Sequence, residues 1–243
     1  MKRLVFKTVW IVWVLIMAFC WSGSGFADES TMNDEWQFGG ELYFWGASID
    51  GETATGSGIE ADFDDILDSL EMAFMGVAGI RKGRWSLLTD VIYLNVEDSG
   101  DIAPGVDASV ELTNWVVTPF VAYNVLDTQK GSLSILGGAR YLYLKTELSI
   151  GPFSGDDSGS TWDGIVGTRG DLDLSQNWYL FGYLDIGAGD SDLTWQGIGG
   201  LGYRFKWFDL VAAYRYLSWD FDDDALIGDL EIHGPALGIK MPF

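Results

Sequence analysis

The residues from Trp178 to Ile186 divide into two sets by parity. Trp178, Leu180, Gly182, Leu184 and Ile186 hold one parity, and Tyr179, Phe181, Tyr183 and Asp185 hold the other. A period of two marks a strand whose faces meet different surroundings. The alternation recurs at Leu133, Ile135, Ala139, Tyr141 and Tyr143 against Ser134 and Arg140, and at Leu210, Ala212, Tyr214 and Tyr216 against Asp209 and Arg215. It closes the chain, with Leu237, Ile239, Met241 and Phe243 on one side and Ala236, Gly238, Lys240 and Pro242 on the other. Where the charges fall constrains the fold most. On most strands one parity is free of charge for the length of a membrane crossing. The other collects Glu41, Asp90, Arg140, Arg169, Asp171, Asp173, Asp185, Arg204, Arg215 and Lys240. An Arg or Lys on the lipid side of a barrel costs about 2–4 kcal/mol at mid-bilayer. The clean face therefore suits hydrocarbon and the charged face suits an interior. A soluble sandwich would turn the charged face outward.

The pattern predicts strands over 36–49, 71–81, 85–97, 108–126, 132–149, 161–174, 178–188, 194–205, 208–221 and 229–243. Short turns at 82–84, 127–131, 175–177 and 206–207 alternate with longer polar loops at 50–70, 98–107, 150–160, 189–193 and 222–228. Strands long enough to hold a span of 9–11 residues, with short turns at one end and long loops at the other, predict an all-β fold. It is a closed antiparallel up-and-down transmembrane barrel of about ten strands, with eight as the alternative. Closure removes sheet edges that hydrocarbon cannot solvate. Trp36, Trp85, Trp115, Trp178, Trp195 and Tyr203 suit interfacial girdles.

The first segment reads as an export signal. Lys2, Arg3 and Lys7 precede an apolar run from Val9 to Phe19, and Gly25-Phe26-Ala27 gives a small-x-small exit before Asp28 and Glu29. The run is too short for a comfortable helical span of about 20 residues. Bulky Phe19 before Cys20 argues against lipid attachment. Residues 1–27 are thus expected to be a signal peptide, 28–35 a short N-terminal segment and 36–243 the barrel. Removing 27 of the 243 residues takes three positive charges and no acid from a net charge of −22, which leaves −25. It also removes the only cysteine, so no disulfide or thiol chemistry is expected. So acidic a chain is a poor nucleic-acid binder, because phosphate contacts need Lys and Arg.

Several stretches carry a family resemblance. They include Glu41-Leu42-Tyr43-Phe44-Trp45 with Asp50-Gly51, Asp62 to Leu70, Gly83-Arg84-Trp85 and Asp90-Val91-Ile92-Tyr93-Leu94. Further along are Gly138-Ala139-Arg140-Tyr141, Val166-Gly167-Thr168-Arg169, Gly202-Tyr203-Arg204-Phe205, Tyr214-Arg215-Tyr216-Leu217 and Gly234-Pro235-Ala236-Leu237-Gly238. As a set they resemble a family of Gram-negative outer-membrane barrels grouped with OmpA-like and OmpW-like porin-family surface antigens. The resemblance implies a barrel in the outer membrane and no particular activity. It also implies that Phe243, as a terminal aromatic residue, is the signal read by the barrel-assembly machinery.

Four constellations could carry chemistry. The inward Arg140, Arg169, Arg204 and Arg215 face Glu41, Asp90, Asp171, Asp173 and Asp185. The expected result is an ion-pair network filling a narrow interior, because barrels of about eight strands are just filled by side chains and ten add little width. Phe63, Ile66, Leu67 and Leu70 fall at helical spacing opposite Asp62, Asp64, Asp65 and Asp68, which predicts a short amphipathic helix at the barrel rim or as a lid. Asp220, Asp222, Asp224 and Glu231 match part of a calcium-loop spacing. Ala225 stands where such a loop needs glycine, however, so weak divalent binding by acidic loops is the better reading. Glu231 and His233 superficially resemble the acid–histidine pair of omptin-like proteases, but their parity places them on the lipid side unless a bulge at Gly234-Pro235 reverses it. The expectation is a non-enzymatic barrel without a cofactor, serving envelope structure or surface interaction. A narrow or gated channel is the alternative, and a hydrolase at the rim is the weakest. The expected partners are outer-membrane lipid, lipopolysaccharide and divalent cations.

Overall fold

The structure, a computed structural model, describes residues 35–53, 58–61, 70–103, 106–150, 153–221 and 227–241. Twelve strands form among them: β1 (Gln37–Trp45), β2 (Ser48–Thr53), β3 (Gly58–Ala61), β4 (Leu70–Lys82), β5 (Trp85–Ala103), β6 (Val106–Thr128), β7 (Gly131–Ile150), β8 (Phe153–Asp173), β9 (Trp178–Gly189), β10 (Leu193–Arg204), β11 (Asp209–Asp220) and β12 (Ile227–Met241). Each pairs antiparallel with its neighbours, and β1 pairs with both β4 and β12, which closes the sheet. β1 and β2 make one barrel strand. Trp45↔Ala236 and Ser48↔His233 lie in the same register against β12, with a break only at Gly46 and Ala47. The wall therefore has ten strands, as the parity pattern predicts.

The break has a local cause. Pro235 sits opposite it, and proline within a sheet is confined to edges and irregular places because it has no N–H to give the ladder. Its carbonyl accepts from Gly46 N at 2.9 Å. A Cβ on Gly234 would lie 2.0 Å from the Gly46 carbonyl oxygen, so the chains can approach this closely only at glycine. At the other end Gly83, with φ 58°, makes the β4–β5 turn, a conformation that other residues rarely adopt.

The two parities separate as the charges require. Trp178, Leu180 and Ile186 are exposed on the outer surface, whereas Tyr179 and Asp185 are 1% exposed in the lumen. Leu237, Ile239 and Met241 are likewise outward. Aromatic residues ring the outer surface at two levels. Trp85 packs on Tyr123 and Trp178 on Tyr203 at the short-turn end, while Tyr93 packs on Trp115 and Trp195 stacks on Tyr216 at the other. On β5, β6 and β10 the two levels are the same eight residues apart (Trp85 to Tyr93, Tyr123 to Trp115, Tyr203 to Trp195). Eight residues run about 27 Å along a strand. Tilted by about 35–45°, they give a height of about 19–22 Å between ring levels, a little under the apolar band of about 25 Å that lies between girdles.

Four strands outrun the band. Residues 98–107 and 150–160, expected as loops, instead continue β5, β6, β7 and β8 as paired strands up to the few residues at their tips. Among the described residues, β5 has no pairing with β4 above Val96, and β8 has none with β9 above Asp163. A four-stranded sheet thus projects along the strands beyond the upper aromatic level, by about 30 Å on β5 and β6 and about 23 Å on β7 and β8. Residues 97–101 of β5 and 154–160 of β8 are polar at both parities, so no apolar alternation announces those two extensions, whereas β6 and β7 alternate through Val106, Ala108, Val110 and Leu112 and through Leu144, Leu148 and Ile150. The interval 50–70 is likewise not all loop, since β2 and β3 pair within it. The helix expected over Phe63, Ile66 and Leu67 lies outside the described residues. Leu70, assigned to that helix, opens β4 and pairs with Val96 instead.

One packing contact gives a stability test. Tyr179 lies over Gly202 on the neighbouring strand, where a Cβ would meet its ring at 2.2 Å. Gly202→Val should displace Tyr179 from Asp209 and lower unfolding free energy by about 1–3 kcal/mol in a detergent–urea titration. Gly199→Val, which meets nothing within 4 Å, should stay within about 0.5 kcal/mol of wild type. Equal effects from the two would remove the contact as the cause.

Candidate functional site in the lumen

The inward charges gather in a layer halfway along the lumen. Arg215 on β11 is its centre. Its Nη2 donates to Asp90 Oδ2 at 2.7 Å and to Gln196 Oε1 at 2.6 Å, Nε donates to the same Gln196 oxygen at 3.1 Å, and Nη1 donates to the Tyr43 hydroxyl at 2.7 Å. Tyr43 in turn donates to Asp90 Oδ1 at 2.6 Å. Four strands, β1, β5, β10 and β11, are pinned through one guanidinium. Beside it, fully buried Arg140 on β7 donates to Asp185 Oδ2 at 2.5 Å and to Thr194 Oγ1 at 2.8 Å, and Thr194 passes a hydrogen bond to the Ser218 carbonyl at 3.0 Å. Charges out of water need partners of this quality, because desolvation otherwise exceeds their mutual attraction.

Directly beyond the layer, toward the projecting sheet, the lumen is apolar. Trp45, Met75, Ile92, Val116, Leu142, Leu217, Trp219, Leu230 and Ile232 form one buried cluster. The layers touch through cations over ring faces, with Arg215 Cζ 4.8 Å from the Trp45 ring centre and Arg140 Cζ 5.9 Å from that of Trp219. Such contacts are worth about 2 kcal/mol when desolvated. Trp45 Nε1 also donates to the Gly234 carbonyl at 3.2 Å, which fastens β1 to β12. Guanidiniums below and indoles above stack as two buried layers in the lumen.

On the short-turn side the lumen is hollow. A cavity of about 410 Å³ reaches from Arg215 and Asp90 down to Arg204 and Met241. In its wall Arg204 Nη1 donates to Asp173 at 2.6 Å, Tyr179 Oη to Asp209 at 2.9 Å and Ser132 Oγ to Asp171 at 2.5 Å. Glu41, Arg169 and Lys240 also line it. All ten charges assigned to the interior by parity therefore face it. Six of them form three separate ion pairs rather than one network, Asp171 accepts from Ser132, and Glu41, Arg169 and Lys240 join no side-chain hydrogen bond among the described residues. Tyr43, Gln196, Thr194 and the two tryptophans of the apolar cluster share that parity, but a reading by charge alone passes over them. Asp163 is another such residue. It is 1% exposed and accepts from Ser191 N and Oγ at 2.9 and 2.8 Å, holding the β9–β10 connection.

His233 faces outward, as its parity predicts, because the β11–β12 register runs through Gly234 and Pro235 without a bulge. Its partner is Asp50 on β2 rather than Glu231. Nε2–H donating to Asp50 Oδ2 at 2.9 Å leaves Nδ1 to accept from Tyr214 Oη at 2.9 Å. The ring stacks on Tyr216 with centroids 5.6 Å apart. Both ring nitrogens are thus occupied by structural hydrogen bonds. Of the proposed calcium-loop residues, Asp222 and Asp224 lie outside the described residues, as do Phe243 and the expected signal peptide. Asp220 and Glu231 lie on β11 and β12, where Asp220 pairs with Asp229 and Glu231 with Ser218 and Asp50. Among the described residues no three His, Cys, Asp or Glu side chains are grouped to hold a metal ion.

No family model matches the chain, and no curated protein matches it. Among solved structures it is similar to the translocator domain of the autotransporter NalP from Neisseria meningitidis, at 15% identity over 88% of this chain and 90% of that one, with a TM-score of 0.46. It is also similar to Neisserial surface protein A, at 14% identity over 86% and 99% of the chains with a TM-score of 0.37. A third is Ail, the attachment invasion locus protein of Yersinia pestis, at 13% identity over 87% and 100% with a TM-score of 0.38. At such values the barrel rests on this chain's own strand pairing.

Proposed function

We propose that the chain is a non-conducting, non-enzymatic barrel of a Gram-negative outer membrane that presents its four-stranded sheet to the cell exterior for surface contact. The reading is supported by the filled lumen, where a hydrogen-bonded charged layer is backed by a buried apolar cluster, and by a sheet that runs beyond the girdles and so has no role in crossing a membrane. The apolar outer band and its two aromatic levels support the membrane location. Short turns are then periplasmic and the projecting strands extracellular. In sequence the sheet carries Glu97, Asp98, Asp101, Asp107, Glu111, Glu147, Asp156 and Asp157 against Lys145. Its contacts accordingly favour cationic surfaces or divalent ions bridging to lipopolysaccharide phosphates. The barrel-assembly machinery remains the proposed route of insertion.

The test uses cells displaying the full barrel or one in which 97–111 and 146–157 are each replaced by an Asn-Gly turn, which keeps Val96 opposite Leu112 and Lys145 opposite Ser158. Both forms should reach the surface and keep heat-dependent gel mobility. Attachment to epithelial monolayers and autoaggregation should fall to the vector level only for the trimmed form. Equal attachment by the two forms would refute the surface role.

A further inference from the structure

The cavity below the two layers lies in the periplasmic half of the lumen, and its volume of about 410 Å³ falls within the range of small-molecule sites. Its wall is divided. Leu88, Phe120, Phe181, Ile198 and Val211 give it an apolar side. The charged side is mostly committed: Arg204 to Asp173, Asp209 to Tyr179, Asp171 to Ser132 and Arg215 to Asp90. Three groups are not. Arg169 on β8 faces Glu41 on β1 and Lys240 on β12 from across the barrel, near enough for each to feel the others' charge. None of the three hydrogen bonds to another side chain among the described residues. Lys240 contacts the Tyr179 ring at 5.6 Å and sits in register between Glu41 and Asp209. Asp171 and Asp209 also place their charge beside these cations, so the pull on an anion rests on the free guanidinium of Arg169 and not on a surplus of positive charge. A guanidinium with free N–H groups in a half-apolar pocket is built to take a planar anion in a fork.

We propose that this pocket is a binding site, entered from the periplasm, for a small organic monoanion: a carboxylate on an apolar, ring-sized body. The carboxylate sits between Arg169 and Lys240, and the body lies against Leu88, Phe120 and Phe181. Glu41 competes with the ligand for the same cations and so sets a modest affinity. The site faces the opposite end of the barrel from the projecting sheet, and it stands whether or not that sheet makes contacts.

The probe is 4-fluorobenzoate, followed by 19F NMR against the full mature barrel in phosphatidylcholine nanodiscs, with 4-fluorobenzyl alcohol as the neutral comparison. Saturable broadening of the carboxylate signal, absent with the alcohol and with empty discs, is expected. Arg169→Gln should weaken binding about tenfold or more, the loss of one charged hydrogen bond. Glu41→Gln should tighten it several-fold, a gain that general damage to the barrel would not produce. Both variants must keep the heat-dependent band shift of the folded protein. No saturable binding, equal binding of the alcohol, an unchanged Arg169→Gln or a weakened Glu41→Gln would each overturn the proposal.

Discussion

Replacing Arg215 by methionine is expected to lower unfolding free energy by about 3–5 kcal/mol, because it strands Asp90 as a charge without its counter-ion in the middle of the lumen. Asp90 keeps only the Tyr43 hydroxyl, and Gln196 loses both of its bonds to the guanidinium. Adding Asp90→Leu to the same chain should recover most of the loss, since an apolar pair of similar volume avoids desolvating two charges. Equilibrium urea titrations of the refolded barrel in lipid vesicles, read by tryptophan fluorescence, measure both steps. A single variant as stable as wild type would mean that the layer contributes nothing to holding the walls together. A double variant as unstable as the single would place the loss in packing against Trp45 rather than in the charge.

Conduction offers the second large effect. In planar bilayers the wild-type barrel should give no unitary current. Replacing Asp90, Arg140, Asp185 and Arg215 together by serine removes the charged layer but leaves Trp45 and Trp219 in place. Changing both tryptophans to alanine removes the apolar cluster's bulk but leaves the guanidiniums. Each set alone should stay silent, because on the non-conducting reading each layer seals without the other. The combined variant should conduct in discrete steps. Every variant is recorded only after its band shift shows it folded, since the tryptophan changes alone cost about 3–5 kcal/mol each. Steps from wild type, or from either single set, would end the two-layer account and with it the non-conducting role.

Much of the barrel is legible in the sequence because lipid and lumen impose opposite demands on alternate residues. Leu180 and Asp185, five apart on β9, are assigned to the correct faces by parity alone. Pairing within the lumen is not legible. Arg215 meets Asp90 from 125 residues away, and strand tilt and register, which no local pattern encodes, bring them together. The partner of His233 shows the same limit: Glu231 is two residues off and faces the same way, yet Asp50 on another strand takes the hydrogen bond. The extension of β8 in the projecting sheet escapes the pattern for a different reason. In Ser154-Gly155-Asp156-Asp157-Ser158-Gly159-Ser160 both faces meet water, so no apolar period exists. The strand there is held by backbone pairing with β7.

The fastening of β1 to β12 also dictates an order of events. Trp45 reaches Gly234 across 189 residues, and Tyr43 reaches Arg215 across 172. Every other wall joins strands adjacent in the chain, whose hairpins close short loops at small entropic cost. The first wall strand in chain order is therefore the last to find its second neighbour, and it must wait with a bare edge until the final strand arrives. Contacts of such long range come late and slowly in folding. Damage at Gly46, Gly234 or Pro235 should accordingly strand an assembled ten-strand sheet as an open gutter, a kinetic failure that equilibrium stability alone would not foretell.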